Sequence, residues 1–329
     1  MRYGIVSLII ISIQMIGISN AYSETPVERY GQLAVKGHQI VDETGRPVSL
    51  AGVSWFWSTS GWGQERFYNK EAVKFLAEDW NVSLIRAAIS VEPSGGILTD
   101  PQGNINRATT LIDAAIEEGI YVIVDWHSHS AEDHPDAAVV FFTEIAKMYG
   151  DHPNIIYEIY NEPLKDTDWL TVIKPYAEKV VGAIRKVDPD NLIIVGTQTW
   201  SQDVTKAAAK PITGYENIAY TLHFYAGSHG EELRQKARLA MQSGIALFVT
   251  EWGTVDANGD GDVAGENLSA WRDFMKEHQL SHANWSLSDK DEGASLLKPG
   301  ANSTGPWGDE DLTESGLYVR EMMRTWSAD

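Results

Sequence analysis

Residues 155–163 have the sequence Ile-Ile-Tyr-Glu-Ile-Tyr-Asn-Glu-Pro. Apolar and polar side chains alternate through most of this segment, which is typical of a β-strand. Pro163 cannot extend a strand ladder, and it biases the preceding Glu162 away from helical conformation. A second apolar segment, Leu-Phe-Val-Thr-Glu at 247–251, also ends in a glutamate, Glu251. The sequence therefore predicts two carboxylates at the ends of two strands.

An alternation of strands and helices surrounds these two segments. Strand-like segments are predicted at 48–54, 83–89, 121–125, 155–160, 192–196, 218–223, 246–250 and 283–286. Helical periodicity, with apolar residues three and four positions apart, occurs at 70–80, 107–118, 136–149, 168–187, 202–209, 231–243, 266–278 and 314–325. The pattern predicts an α/β fold, a single (β/α)8 TIM barrel, in preference to two doubly wound domains.

A small β-hairpin is predicted before the first barrel strand. Its two strands would be 33–35 and 39–41, joined across Lys36-Gly37-His38 and followed by a turn at 42–47. We expect this hairpin to close the bottom of the barrel.

The first 21 residues have the features of a secretory signal peptide. Arg2 supplies a positive start, an apolar run follows, and small residues stand at Ser19 and Ala21, so cleavage is expected after Ala21. The alternative is an uncleaved membrane anchor, but the apolar run is interrupted by polar residues and falls short of ~18 to 20 residues. We expect a secreted protein, extracellular or periplasmic, with one catalytic domain at 22–329.

Composition excludes several classes of function. The chain has no cysteine, which rules out thiol catalysis and thiolate metal sites. Its formal net charge of −20 disfavours binding to nucleic acid or to an anionic membrane surface. We expect no cofactor and a monomer.

Polar and aromatic residues collect at the predicted carboxyl ends of the strands, where TIM barrels place their reactive groups. Two carboxylates on opposite walls suit the hydrolysis of a glycosidic bond, and a separation of ~5 Å would indicate retention of configuration. Taken singly, each glutamate could instead be a helix-terminus partner or a salt-bridge member, and each histidine a buried structural residue. The residues at these ends are Arg86, His127, Asn161, Glu162, His223, Tyr225, Glu251 and Trp285.

Four tryptophans, Trp57, Trp62, Trp200 and Trp285, lie near predicted strand ends. They could be rim packing or platforms for sugar rings, because an aromatic face stacks on the apolar face of a pyranose. We favour platforms for Trp57 and Trp285 and leave the other two open.

Two motifs resemble metal sites. His127-Ser128-His129, with His134 nearby, resembles the His-x-His pair of metal-dependent hydrolase barrels, but that pair is expected on the first strand and here follows the third. Residues 256–262 follow the spacing of a calcium loop, yet the twelfth position is Asn267 where a bidentate glutamate is required. We expect no catalytic metal, and we keep a structural calcium ion as a minority hypothesis.

The ordered set of motifs resembles glycoside hydrolase family 5, most closely its secreted bacterial endoglucanases. Those motifs are Arg86, Asp125-Trp126-His127, Asn161-Glu162-Pro163, His223-Phe224-Tyr225, Thr250-Glu251-Trp252-Gly253 and Asn284-Trp285. The resemblance covers about residues 31–326.

The resemblance implies a retaining endo-β-1,4-glucanase with Glu162 as acid/base and Glu251 as nucleophile. Asn161 would hold the sugar 2-hydroxyl, and Arg86 and Tyr225 would position Glu251. The remaining implied contacts are substrate or carboxylate bonds from His127 and His223, stacking by Trp285, and hydroxyl binding further along the glucan by Lys290 and Glu292.

The chain also departs from the family pattern. Many relatives carry a histidine after the first strand, whereas residues 53–57 are Val-Ser-Trp-Phe-Trp. Many relatives are also joined to a cellulose-binding module, whereas three residues follow Trp326 here. We therefore expect weaker action on crystalline cellulose than on soluble or amorphous cellulose. Three alternatives stay open: a β-mannanase or other β-1,4-hemicellulase, a non-catalytic polysaccharide-binding barrel, and a metal-dependent hydrolase.

Overall fold

The structure of the protein is a computed structural model that describes Met1 and residues 24–326. The predicted signal peptide therefore lies outside the described residues apart from Met1. Within the described part of the chain, no helix is long and apolar enough to cross a membrane.

Eight parallel strands close into a barrel, so the predicted TIM barrel is confirmed. Each strand pairs with its neighbours in chain order, and the last strand pairs with the first. The strands are β3 (Ala51–Trp55), β4 (Leu84–Ser90), β5 (Tyr121–His127), β6 (Ile155–Glu158), β7 (Leu192–Val195), β8 (Ile218–Tyr225), β9 (Leu247–Gly253) and β10 (His282–Leu287).

Helices cover the outside of the barrel and bury their apolar faces against it. After the short α1 (Pro26–Tyr30), they are α2 (Lys70–Asp79), α3 (Pro101–Glu117), α4 (Pro135–Tyr149), α5 (Lys174–Ile184), α6 (Gln198–Ser201), α7 (Val204–Ala209), α8 (Glu231–Gln242), α9 (Gly265–Glu277) and α10 (Glu314–Thr325).

The bounds of the barrel strands differ from the predicted ones by one to three residues, and two of these differences have a clear structural consequence. The first barrel strand begins at Ala51 rather than Val48, because Val48 and Leu50 pack into the apolar layer at the bottom of the barrel before the strand starts. The fourth strand ends at Glu158 instead of Tyr160. The second difference matters for the site, because it places Glu162 four residues beyond the strand.

The predicted hairpin is confirmed and lies at the bottom of the barrel. Its strands, β1 (Ala34–Lys36) and β2 (Gln39–Val41), pair antiparallel. Leu33 and Ile40 are buried in one apolar cluster with the first residues of the barrel strands, including Tyr121 and Phe248. The amino-terminal end of the barrel is therefore filled by apolar side chains, and the carboxyl end is left to polar ones.

Candidate active site

A cleft crosses the carboxyl ends of the barrel strands. It consists of two adjoining depressions of about 370 and 510 Å³, a size typical of small-ligand and substrate sites. Both depressions contain Glu162, Trp200 and Tyr225. The first also contains Trp57, His127, Glu251, Trp285, Lys290 and Glu292, and the second contains His223.

The two predicted carboxylates face each other in this cleft. A carboxylate oxygen of Glu162 and one of Glu251 lie within 4.8 Å of each other. Glu251 is inside β9, whereas Glu162 lies in the segment after β6, which corrects the predicted strand-end position. That segment is held by β5 and the loop after it, because the Glu162 N–H donates to the carbonyl of Ser128 at 3.2 Å.

Arg86 lies beneath the two glutamates and is fully buried. Its guanidinium donates to Glu251 Oε2 at 3.0 Å, to Glu158 Oε2 at 2.7 Å and to Asn161 Oδ1 at 2.6 Å, and it also pairs with Asp125 at 2.9 Å. Burial alone would lower the pKa of Arg86, and the three surrounding carboxylates raise it above its ordinary value. The residue therefore stays a cation and fixes Asn161 and Glu251 relative to each other.

Tyr225 holds the other oxygen of Glu251. Its hydroxyl donates to Oε1 at 2.8 Å, and burial together with the Glu251 charge raises the pKa of Tyr225 well above its ordinary value. Gly253 makes room for this ring, because a Cβ at that position would lie 2.2 Å from Tyr225 Cδ1. Glu251 thus accepts hydrogen bonds at both oxygens and is held in one orientation.

A hydrogen-bonded relay connects a second buried carboxylate, Glu158, to Glu162. The Thr250 hydroxyl donates a hydrogen bond to Glu158 Oε1 at 2.6 Å. The Thr250 oxygen therefore accepts a hydrogen bond from the Nε2–H of His223 at 2.8 Å. This assignment leaves a lone pair on His223 Nδ1, which lies 2.8 Å from Glu162 Oε1. A neutral His223 therefore requires a protonated Glu162 to complete the relay.

The environments of Glu162 and His223 agree with this proton placement. Burial and, next, repulsion from Glu251 raise the pKa of Glu162 well above its ordinary value. Burial and the Arg86 charge lower the pKa of His223 well below its ordinary value. Burial also raises the pKa of Glu158, but Arg86 and Thr250 donate to its two oxygens, so we assign it as the carboxylate.

An aromatic wall lies on the other side of the cleft. The His127 ring stacks on Trp285 with centroids 5.1 Å apart, and Trp57 meets His127 edge-on at 4.3 Å. His127 Nδ1 is 2.6 Å from Asp125 Oδ2, which orients the imidazole. At the rim, the ammonium of Lys290 pairs with the carboxylate of Glu292.

The structure brings together at the cleft every residue that the sequence analysis assigned to catalysis or substrate binding. It places the two tryptophans that were left open differently from each other. Trp200 is exposed on the cleft and lines both depressions. Trp62 is 48% exposed and packs against Phe56 and Trp57 at the outer edge.

Sequence reasoning missed Glu158 and Thr250. Glu158 occupies one of the polar positions of the alternating pattern, and it is fully buried inside the barrel, where a carboxylate needs a cation. Its spacing of four residues from Glu162 gave no indication that both belong to one site. Thr250 precedes Glu251 in a buried strand, and a threonine there is common without any functional role.

The two sequence motifs that resembled metal sites do not form ligand clusters among the described residues. Within residues 24–326, the group of side chains with metal-ligand spacing is Glu162, His223 and Glu251. It includes neither the histidines at 127, 129 and 134 nor the acidic loop at 256–262.

Comparisons with known proteins place this geometry in a family. The family profile described as "Cellulase (glycosyl hydrolase family 5)" matches residues 41–291. Endoglucanase Z of Dickeya dadantii is 52% identical over 294 residues, which are 89% of this chain and 66% of that protein.

Solved structures of similar proteins match nearly the whole chain. A structure from Cytophaga hutchinsonii superimposes with a TM-score of 0.90 and 50% identity, over 92% of this chain and 98% of that one. The catalytic domain of a Thermobifida fusca endoglucanase, solved with cellotetraose, has a TM-score of 0.85 and 36% identity, over 91% of this chain and 99% of that one. The chain spans about two thirds of the length of the first curated relative.

Proposed function

Because the chain belongs to the cellulase family, glycosyl hydrolase family 5, as its motifs predicted, we propose that it is a retaining endo-β-1,4-glucanase. It would hydrolyse internal β-1,4 bonds of cellulose and related soluble glucans. The observation that carries this proposal is the pair of carboxylates, Glu162 and Glu251, whose oxygens approach within 4.8 Å in an open cleft. Retaining glycosidases keep their two carboxyl groups about 5–5.5 Å apart, whereas inverting enzymes need ~6.5 Å or more for a water molecule.

In the first step, Glu251 attacks the anomeric carbon while Glu162 gives its proton to the departing glycosidic oxygen. The carbon–oxygen bond to the leaving chain breaks, and an ester between the sugar and Glu251 forms. Arg86 and Tyr225 donate to Glu251 and keep it an oriented carboxylate before the attack. The relay through His223 supports the protonated Glu162 that this step requires.

In the second step, water attacks the same carbon and the ester bond to Glu251 breaks. Glu162, now a carboxylate, removes the proton from that water, which restores the starting state of both residues. Asn161 is fixed by Arg86 through its Oδ1, so its amide N–H groups remain to donate to the sugar 2-hydroxyl.

The aromatic residues and the rim would hold the glucan on both sides of the scissile bond. Trp285 would carry the sugar next to that bond, and its face is fixed by stacking on His127. His127 and His223 would bond the substrate or the carboxylates. Trp57, Lys290 and Glu292 would bind sugars further along the chain, because they line the same depression.

Reducing-sugar release from carboxymethylcellulose, barley glucan and mannan, measured side by side, tests the proposal. We expect hydrolysis of both glucans and little of mannan. Faster release from mannan would identify the enzyme as a β-mannanase. Release from none of the three substrates would contradict the proposed hydrolase activity. Proton NMR of the first product tests retention, because a retaining enzyme releases the β-anomer first.

The export and the oligomeric state of the enzyme form part of the same proposal. We expect cleavage after Ala21, export of a single catalytic domain at 22–329, and a monomer in solution. Mass spectrometry of the exported protein and light scattering on a sizing column measure these properties. An intact amino terminus on the exported protein, or a dimer at micromolar concentration, would contradict the corresponding part.

A further inference from the structure

We propose that Glu162, His223 and Glu251 also form a binding site for one divalent transition-metal ion of the Zn²⁺ type, which competes with the substrate for the cleft. The ion would inhibit the enzyme reversibly and would have no role in the reaction. Binding of the ion does not rest on the proposed function, whereas competition with a glucan does.

The ligand atoms have suitable spacing. One atom from each of the three side chains lies within 4.8 Å of the others, and His223 Nδ1 is 2.8 Å from Glu162 Oε1. Tetrahedral coordination at ~2.1 Å separates ligand atoms by ~3.4 Å, which lies between these two distances. Small side-chain rotations would therefore place all three atoms around one ion, with the fourth position left to water from the open cleft.

His223 is already oriented as a metal ligand. It is 1% exposed, and its Nε2–H is bound by Thr250, which in turn is bound by the carboxylate Glu158. Metal-binding imidazoles are commonly held in this way, with the outer nitrogen donating to a group linked to a carboxylate. The lone pair on Nδ1 therefore points to Glu162, where either a proton or a metal ion must lie.

The charge balance of the site favours a dication. Arg86 is the cation nearest the two glutamates, and it is shared with Asp125 and Glu158 as well as Glu251. These three carboxylates outnumber the single guanidinium, and Glu162 adds a fourth carboxyl group within 4.8 Å of Glu251. A bound dication would relieve the repulsion between Glu162 and Glu251.

Imidazole and carboxylate ligands select Zn²⁺ over Mg²⁺ and Ca²⁺, which prefer sites made of oxygen atoms.

Equilibrium dialysis of the purified full chain against Zn²⁺ tests the site. We expect one bound ion for each chain. Affinity should fall by at least about tenfold in Glu162→Gln, Glu251→Gln and His223→Ala, and by about tenfold in Thr250→Val, which removes only the outer-shell support. The matched control is His152→Ala, an exposed histidine that should leave Zn²⁺ binding unchanged.

Thermal unfolding shows whether each variant is folded. It also gives a readout of Zn²⁺ binding that does not depend on activity. Zn²⁺ should raise the Tm of the wild type and not that of Glu251→Gln. Displacement of bound Zn²⁺ by cellotetraose would show that both occupy one cleft. Equal Zn²⁺ binding by the wild type and the three ligand variants would overturn the proposal, and loss of binding in His152→Ala would place the ion elsewhere. Both readouts hold even if no glucan is hydrolysed.

Discussion

Arg86 Nη1 lies 3.0 Å from Glu251 Oε2, and both groups are buried within the mouth of the barrel. The same guanidinium donates to Glu158 and Asn161, so one side chain fixes the proposed nucleophile, the amide beside the proposed acid/base and an inner carboxylate. Removing the paired cation from a buried carboxylate is costly, and this makes the contact a sensitive test of the site.

Arg86→Lys should lower kcat/KM on carboxymethylcellulose at least about 100-fold and destabilise the fold by about 3–5 kcal/mol. A lysine ammonium has its three donors on one nitrogen, so it cannot reach all four groups that the three guanidinium nitrogens contact. Steady-state kinetics and urea unfolding measure the two effects. The control is Arg66→Lys at the rim, whose partner is Asp289 and whose side chain is 40% exposed; it should change stability by less than about 1 kcal/mol. Near-normal activity of Arg86→Lys would contradict the positioning role.

Glu162→Gln should turn over an activated aryl cellobioside far better than a natural glucan. A nitrophenolate leaves without a proton, so loss of the general acid should cost the bond-breaking step about 10²–10⁴-fold only on unactivated bonds. On the aryl substrate the variant should be slowed in the second step alone, where Glu162 acts as the base. Glu251→Gln should be inactive on both substrates, because it cannot form the glycosyl ester. Parallel assays on the two substrates measure this difference. If both variants lost activity on the aryl substrate to the same extent, the two roles assigned here would be wrong.

Glu162→Gln should also be more stable than the wild type at alkaline pH. The pKa of Glu162 is raised in the folded chain, so the folded state holds its proton more tightly than the unfolded state does. The contribution of the Glu162 proton to the free energy of unfolding is therefore complete below the pKa of about 4.3 in the unfolded chain. It is lost as the pH rises through the pKa of Glu162 in the folded chain.

Urea unfolding at several pH values between 5 and 9 measures that effect. The stability difference between Glu162→Gln and the wild type should grow as pH rises. The exposed Glu144→Gln serves as the control and should show no such trend. A difference independent of pH would mean that the fold does not hold the Glu162 proton.

Leu33→Ala should destabilise the protein by about 2–5 kcal/mol without changing kcat at 25 °C. Leu33 is 1% exposed and fills the bottom of the barrel, at the opposite end from the cleft. Chemical denaturation and an activity assay at the same temperature measure the two quantities. Leu239→Ala, at a side chain that is 46% exposed, should cost much less. A large fall in kcat for Leu33→Ala would mean that the two ends of the barrel are coupled.

The barrel could be predicted from sequence because each of its elements carries a local pattern. Strand and helix periods alternate eight times, and the chain order of the strands is also their spatial order. The exact strand ends could not be predicted, because residues 159–163 satisfy their backbone hydrogen bonds partly through β5 rather than through a continued ladder. The Asn161 N–H, for example, donates to the carbonyl of Trp126.

The residues that line the cleft and the buried Arg86 could be predicted, but the carboxylate and the hydroxyl behind His223 could not. Glu162 stands before a proline, and Glu251 stands before an aromatic residue and a glycine. Both contexts indicate the end of a strand. Glu158 and Thr250 stand within strands, where only the inward direction of the side chain shows that they meet. That meeting depends on the closure of the barrel, since β6 and β9 are separated by two other strands.

Thr250→Val should move the alkaline limb of the pH–activity profile to lower pH by at least about half a unit. Without the hydroxyl, His223 Nε2–H loses its acceptor, and the tautomer with a proton on Nδ1 becomes favourable. That tautomer donates to ionised Glu162 and lowers its pKa, so the general acid is lost at a lower pH. Thr250→Ser keeps a hydroxyl and should restore the wild-type profile. Thr254→Val, a buried threonine bonded to Ser315, controls for the loss of a core hydroxyl. Profiles of kcat/KM between pH 5 and 9 decide the matter: a uniform fall in rate with an unmoved limb would reduce Thr250 to a packing role.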